Sequence, residues 1–96
     1  MRKYELMTIY PVVDEKYNAG IETLRADLAK FGAEIEKEES YGDRDLTYEI
    51  QKQNRGRFVL LTIKANPAKI QELDAQFKFN TNLLKYLFVV KTEKNA

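Results

Sequence analysis

Apolar positions recur along this chain with two periods, and the switches between them outline six elements. Tyr4 to Tyr10 is rich in strand formers and ends at Pro11, which cannot donate to a ladder. Tyr17, Ile21, Leu24, Leu28 and Phe31 then follow at spacings of four, three, four and three, one apolar stripe on a helix. Asp14 stands where an N-cap is expected, and Gly32 where a helix stops. A long strand is predicted next, weakly patterned over Glu34 to Glu39. It becomes clear where Leu46, Tyr48 and Ile50 alternate with Asp45, Thr47, Glu49 and Gln51. Gly42 within it marks a bulge or bend. Gln53-Asn54-Arg55-Gly56 reads as a hairpin loop, with Phe58 to Ile63 returning. Asn66-Pro67 opens a second helix with Ile70, Leu73 and Phe77 on one face, and Leu83 to Val90 is the last strand.

The order β-α-β-β-α-β, joined by two right-handed split crossovers, predicts an α+β fold. It is a ferredoxin-like two-layer sandwich, a four-stranded antiparallel sheet with two helices on one face. A single domain over residues 1–92 and a short flexible tail over 93–96 are expected. The other sheet face has no helix to cover it, so its strands should alternate apolar and polar. They do not. Phe58 and Leu60 oppose Val59, Leu61 and Ile63, while Tyr86, Phe88 and Val90 oppose Leu87 and Val89. Two strands apolar on both sides suggest a partner over the open face, with Phe58, Leu60, Tyr86 and Phe88 as its expected contacts.

Composition removes most chemistry. The 96 residues include no cysteine and no histidine, which excludes a thiol nucleophile, a Cys or His zinc site and a histidine base. Ser40 is the sole serine, and no GxxxxGK or GxGxxG run is present. Glu34, Glu36, Glu38 and Glu39 form an acidic run read as a solvated edge, with Glu36 and Glu38 on one strand face. No catalytic residue, metal or cofactor is expected, and the chain is not read as an enzyme. The longest apolar run, Tyr86 to Val90, is far short of the ~20 residues that span a bilayer, so a cytoplasmic protein is expected.

The net charge of +1 conceals a split. Residues 14–39 hold eight acids against four bases, a net of −4. Residues 51–91 hold eight bases against Glu72 and Asp74, a net of +6. Such asymmetry suits a protein that meets a polyanion on one side. The strand order also matches the RNA-recognition motif, whose third strand stacks bases on aromatics. Here that stretch is Arg55-Gly56-Arg57-Phe58-Val59-Leu60-Leu61-Thr62, with arginine in the first aromatic slot and aliphatics or threonine later. Phosphate contacts fit this sequence better than base stacking on that strand. A self-pairing, ligand-sensing regulatory module without RNA binding remains open on the same fold, as does a small transferase.

Three stretches carry a resemblance across residues 2–91. They are Arg2-Lys3-Tyr4-Glu5 with Pro11, Gly42-Asp43-Arg44-Asp45-Leu46-Thr47-Tyr48-Glu49-Ile50-Gln51-Lys52, and Phe79-Asn80 through Lys85 with Val89-Val90-Lys91. Together they resemble the bacterial small-subunit ribosomal protein six family. The resemblance implies a non-enzymatic, ribosome-associated protein of the translation apparatus. It also implies binding to the central domain of 16S ribosomal RNA, with ribosomal protein eighteen as heterodimer partner. Carried over residue by residue, Arg2, Arg44, Lys52 and Lys85 are expected to meet phosphates, and Tyr4 and Tyr48 to stack on or hydrogen-bond to RNA. Asp45 replaces the family's second basic residue, Thr47 its alanine, and Lys91 lies one residue beyond its usual spacing. No long extension follows Lys91, so functions attributed to such tails are not expected here.

Overall fold

Strand, helix and turn propensities resolve in a computed structural model that describes residues 2–90. The elements are β1 (Arg2–Tyr10), α1 (Asp14–Lys30), β2 (Glu34–Ile50) and β3 (Gln53–Ala65). A 3₁₀ turn (Pro67–Lys69) then leads into α2 (Ile70–Phe77) and β4 (Lys85–Val90). The strands form one antiparallel sheet in the order β2-β3-β1-β4, the expected ferredoxin-like α+β architecture. The expected tail over 93–96, and Lys91, lie outside the described residues.

Pairing of β1 with β3 runs from Arg2↔Ala65 to Tyr10↔Arg57, and β4 lies against the other edge of β1. Directly opposed residues share a face, so this register sorts every side chain of the central strands. Tyr4, Leu6, Tyr10, Val59, Leu61 and Ile63 turn inward. They meet Ile21, Leu24 and Leu28 of α1 and Leu73 and Phe77 of α2, the stripes that set the helix positions. A fully buried side chain of this size contributes about 1.5–3 kcal/mol. Thr8, also inward and fully buried, donates from Oγ1 to the Val59 carbonyl at 2.8 Å and so brings no unpaired hydroxyl into the core.

Several local expectations give way to competing contacts. β1 begins at Arg2 rather than Tyr4, because Arg2 and Lys3 still pair with Ala65 and Lys64. Val13, not Asp14, is the N-cap of α1, and no side chain caps it. Asp14 is instead the first helical residue, and its carboxylate accepts from Arg57 at 3.0 Å. The hairpin turns at Gln51 and Lys52, whose φ values are +49° and +64°, two residues ahead of the predicted loop. Positive φ at both central positions is the twist that suits a two-residue hairpin. Gly56 is therefore not a turn residue. It lies within β3 where a Cβ would collide with Ile9 Cγ2 and crowd Leu46. Leu83 and Leu84 are buried before β4 begins, so that strand starts at Lys85.

β2 also differs in detail. Its pairing with β3 is continuous enough over Glu34 to Asp45, lapses from Leu46 to Glu49, and resumes at Ile50↔Gln53. The half that looked weak in sequence is thus the better paired. The register shifts between Ser40 and Gly42, where Gly42 takes φ +78°, so the predicted bulge is present. A second shift between Ile35 and Lys37 separates the two glutamates expected on one face. Glu36 reaches Lys3 and Lys64 at 3.4 Å each, and Glu38 reaches Arg25 of α1 at 2.6 Å.

The loop from α2 to β4 is fastened by Asn80. Its buried amide donates to the Gly20 carbonyl at 3.0 Å, and its Oδ1 accepts from the Asn82 N–H at 3.1 Å. This brings Asn82 so close to α1 that a Cβ on Gly20 would overlap the Asn82 carbonyl oxygen. Alanine in a helix interior ordinarily gains about 1 kcal/mol over glycine, but overpacking against fixed backbone costs about 1–3 kcal/mol. Gly20→Ala is therefore expected to lower stability by up to about 2 kcal/mol in urea unfolding. A variant as stable as the parent or more so would contradict this packing.

Candidate nucleic-acid interface

The sheet face away from the helices follows from strand parity. β1 gives Glu5, Met7 and Ile9, β3 gives Phe58, Leu60 and Thr62, and β4 gives Leu87 and Val89. Leu87 is 58% exposed and Val89 45%, while Phe58 and Leu60 are half-buried by their neighbours. No element of the described chain lies over them. The sheet face therefore carries an uncovered apolar centre.

Two of the four expected partner contacts lie on the other side. Tyr86 and Phe88 oppose Thr8 and Leu6, and both pack against Phe77 with ring centroids 5.4 and 5.7 Å away. The Tyr86 hydroxyl donates to Asp74 Oδ1 at 2.8 Å. Burial first, then that carboxylate, pushes the Tyr86 pKa up to about 12, and the same hydrogen bond holds Asp74 below the usual carboxylate range. Leu87 and Val89 take the place of Tyr86 and Phe88 on the open face. Phe58 and Leu60 stand where they were expected.

The six residues expected to meet RNA do not form one cluster. Tyr4 is 5% exposed and edge-on to Phe88 at 6.3 Å, so its ring fills the core and is closed to a base. Arg2 is exposed at the start of β1, and Lys85 faces Ile9 at the opposite end of that strand, about 23 Å away at about 3.3 Å per residue. Arg44, Tyr48, Lys52 and Lys85 share that second end. Lys52 occupies the hairpin tip. Tyr48, 69% exposed, lines a concavity of about 160 Å³ with Ile9, Asp45, Leu46, Thr47, Ile50, Phe58 and Lys85. Arg44 borders the adjoining hollow with Met7, Tyr41 and Phe58, its Nε donating to the Tyr41 carbonyl at 3.2 Å and its guanidinium 6.0 Å from the Tyr41 ring.

Which cations are available depends on what the others hold. Among the described residues, no carboxylate lies within ion-pair reach of Arg44, Lys52 or Lys85. Asp45, the acid that replaces a basic residue of the family pattern, is met by Arg55 Nε at 3.3 Å. Arg57 is a brace: it donates to Asp43 at 2.8 Å, to Asp14 at 3.0 Å and to the Val12 carbonyl at 3.3 Å, with its guanidinium 4.6 Å over the Tyr17 ring. Tyr17 in turn stands edge-on to Tyr10 at 5.3 Å. This stack joins the start of α1 to β1, β2 and β3. Sequence counted Arg57 with the basic half, and nothing in its spacing distinguished brace from contact. Tyr41, Met7 and Phe79 were also missed, although parity counted from buried Leu6 would have placed Met7 outward.

No group of carboxylates in the described residues is arranged to hold a metal ion. No helix there is long and apolar enough to cross a membrane. The hollows are open, the first lined by Lys85 with Asp45 and Thr47 and the second bordered by Arg44. These features define a class: a ferredoxin-like α+β domain whose open sheet offers an apolar centre with cations at one end.

The family model for ribosomal protein S6 matches residues 3–90. The chain is 55% identical over 89 residues to small ribosomal subunit protein bS6 of Treponema denticola, covering 93% of this chain and 96% of that one. It is 39% identical over 97 residues to the bS6 protein of Mycobacterium bovis, covering 99% and 100%. The crystal structure of 30S ribosomal protein S6 from Thermotoga maritima superposes with a TM-score of 0.83 at 22% identity, over 94% of this chain and 87% of that one, a likeness of fold. The chain belongs to the ribosomal protein S6 family. It is a non-catalytic protein of the bacterial small ribosomal subunit, and so ribosome-associated in the cytoplasm.

The Arg57 brace has a pH signature. Its hydrogen bonds hold the Asp43 carboxyl below its usual value of 3.8, so Asp43 contributes stability above that value and loses it as pH falls through the lower, folded one. Arg57→Met is expected to cost about 1–2 kcal/mol at pH 7, a figure reduced for the exposure of its partners. In urea unfolding that gap should narrow below about pH 3. A gap unchanged between pH 7 and pH 2.5 would contradict the brace.

Proposed function

We propose that this chain binds the central domain of 16S ribosomal RNA together with ribosomal protein eighteen. The observation that carries the reading is the juxtaposition, at one end of the open sheet, of an uncovered apolar centre and cations without carboxylate partners. Phe58, Leu60, Leu87 and Val89 supply apolar area to the protein partner. Arg44, Lys52 and Lys85 meet phosphates, and Tyr48 on the exposed arm lies beside them. Arg2, at the far end of β1, serves a separate stretch of the RNA backbone. Tyr4 supports the core beneath that end.

Phosphate contacts of this kind release counterions, so affinity should fall as salt rises by about 0.7–0.9 log units per log unit of salt for each phosphate neutralised. Binding to a central-domain ribosomal RNA fragment, measured across a salt series with and without ribosomal protein eighteen, tests the reading. Arg44→Glu and Lys52→Glu are each expected to weaken binding and flatten the salt slope by about one phosphate. Thermal unfolding should stay within about 0.5 kcal/mol of the parent, because both side chains are solvated. Absence of salt-sensitive binding in both conditions would overturn the proposal, and small-molecule binding with self-pairing would favour the regulatory alternative.

A further inference from the structure

Phe79 has no role in the core, yet it is held firmly in view. Its side chain is 78% exposed, the most open of the large apolar residues described. Both sequence neighbours are engaged. Lys78 Nζ lies 3.3 Å from Asp74, and Asn80 is buried with its amide on the Gly20 carbonyl. The backbone between them is bonded throughout: Phe79 N–H donates to the Gln76 carbonyl at 3.0 Å, Asn80 N–H to Phe77 at 3.0 Å, and Leu83 N–H to Asn80 at 3.2 Å. The missing side chain at Gly20 is what lets this loop settle so close to α1. An exposed ring on a loose tip costs little. One on a loop tied down by a buried asparagine is presented.

The ring's position narrows what it would meet. α2 climbs from the Arg2 end of the sheet towards the Lys85 end, and the loop closes onto that end through the Leu84 N–H, which donates to the Ile9 carbonyl at 2.7 Å. Phe79 therefore shares an end of the molecule with Lys52, Lys85 and Arg44, but stands on the helix layer instead of the open apolar face. A fixed, exposed aromatic at the end of the molecule that carries Arg44, Lys52 and Lys85 suits a nucleobase, since stacking is sequence-tolerant and needs a fixed π surface.

We infer that Phe79 is a stacking platform for an unpaired base of the bound RNA, extending the interface from the open sheet around to the α2–β4 loop. The inference rests on the RNA-binding reading above. Loss of one stacked base weakens binding by about 5- to 150-fold. The test is binding of Phe79→Ala, Phe79→Leu and Phe79→Trp to the central-domain RNA fragment, with and without the partner protein, over a salt series. Phe79→Ala and Phe79→Leu should lose at least about fivefold, Phe79→Trp should retain binding, and the salt slope should match the parent because no charge is removed. Thermal unfolding should not move. Parent-like binding by Phe79→Ala, while the parent itself binds RNA, overturns this inference and leaves the proposed function standing. Full retention by Phe79→Leu, or a loss confined to partner binding without RNA, overturns it in favour of an apolar protein contact. No RNA binding by the parent overturns both.

Discussion

Pairing of β1 with β3 is the constraint on which the rest of this molecule depends. Both strands are apolar on two sides, so one register must serve two purposes. With Leu6 opposite Leu61 and Tyr4 opposite Ile63, the inward set meets the stripes of α1 and α2. The outward set, Met7 opposite Leu60 and Ile9 opposite Phe58, is then left without a cover. A slip of one residue would bring Glu5 and Lys64 towards the helices, a cost no surface gain could offset. The register that builds the core therefore also leaves the open face apolar. Apolar area left there is available to a partner because folding does not use it.

Charge is arranged by the same frame. Several acids of α1 and β2 are matched within the molecule: Glu38 by Arg25, Glu36 by Lys3 and Lys64, Asp14 and Asp43 by Arg57. Apart from the less exposed Arg57 brace, these surface pairs each contribute little to stability. Their effect is on the surface field, since they neutralise the β2 edge and the start of α1. With Asp14 and Asp43 held by Arg57, the nearby Arg44, Lys52 and Lys85 keep their charge for that end of the sheet. A net charge of +1 describes neither region.

The fold was legible because periodicity is a statement about burial. The stripe Tyr17, Ile21, Leu24, Leu28 and Phe31 could only be a helix against a sheet, and the double-sided strands could only be central or covered. Turn placement was harder, because Gly56 looked like punctuation but is small for the sake of Ile9, while Gln51 and Lys52 adopt left-handed backbone with no glycine to announce it. The candidate site was half legible. Arg44, Lys52, Tyr48 and Lys85 are exposed at one end of the sheet, as a surface contact requires. Tyr4, Tyr86 and Phe88 went to the core because the parity of β1 and β4 was not tied to an inward residue such as Leu6. Arg57 could not be sorted at all from sequence, since its partners Asp14 and Asp43 are distant in the chain and met only through the fold.

The central claim is that this chain docks through its open sheet face and the cationic end beside it, leaving the outer side of α1 in solvent. Hydroxyl-radical footprinting of the protein, free and in complex with central-domain ribosomal RNA and ribosomal protein eighteen, tests it most directly. Met7, Leu87 and Tyr48 should become protected in the complex while the exposed α1 side chains Lys16, Glu22 and Lys30 keep their free reactivity. Protection centred on those α1 side chains, with Met7 and Leu87 as reactive as in the free chain, would contradict the account.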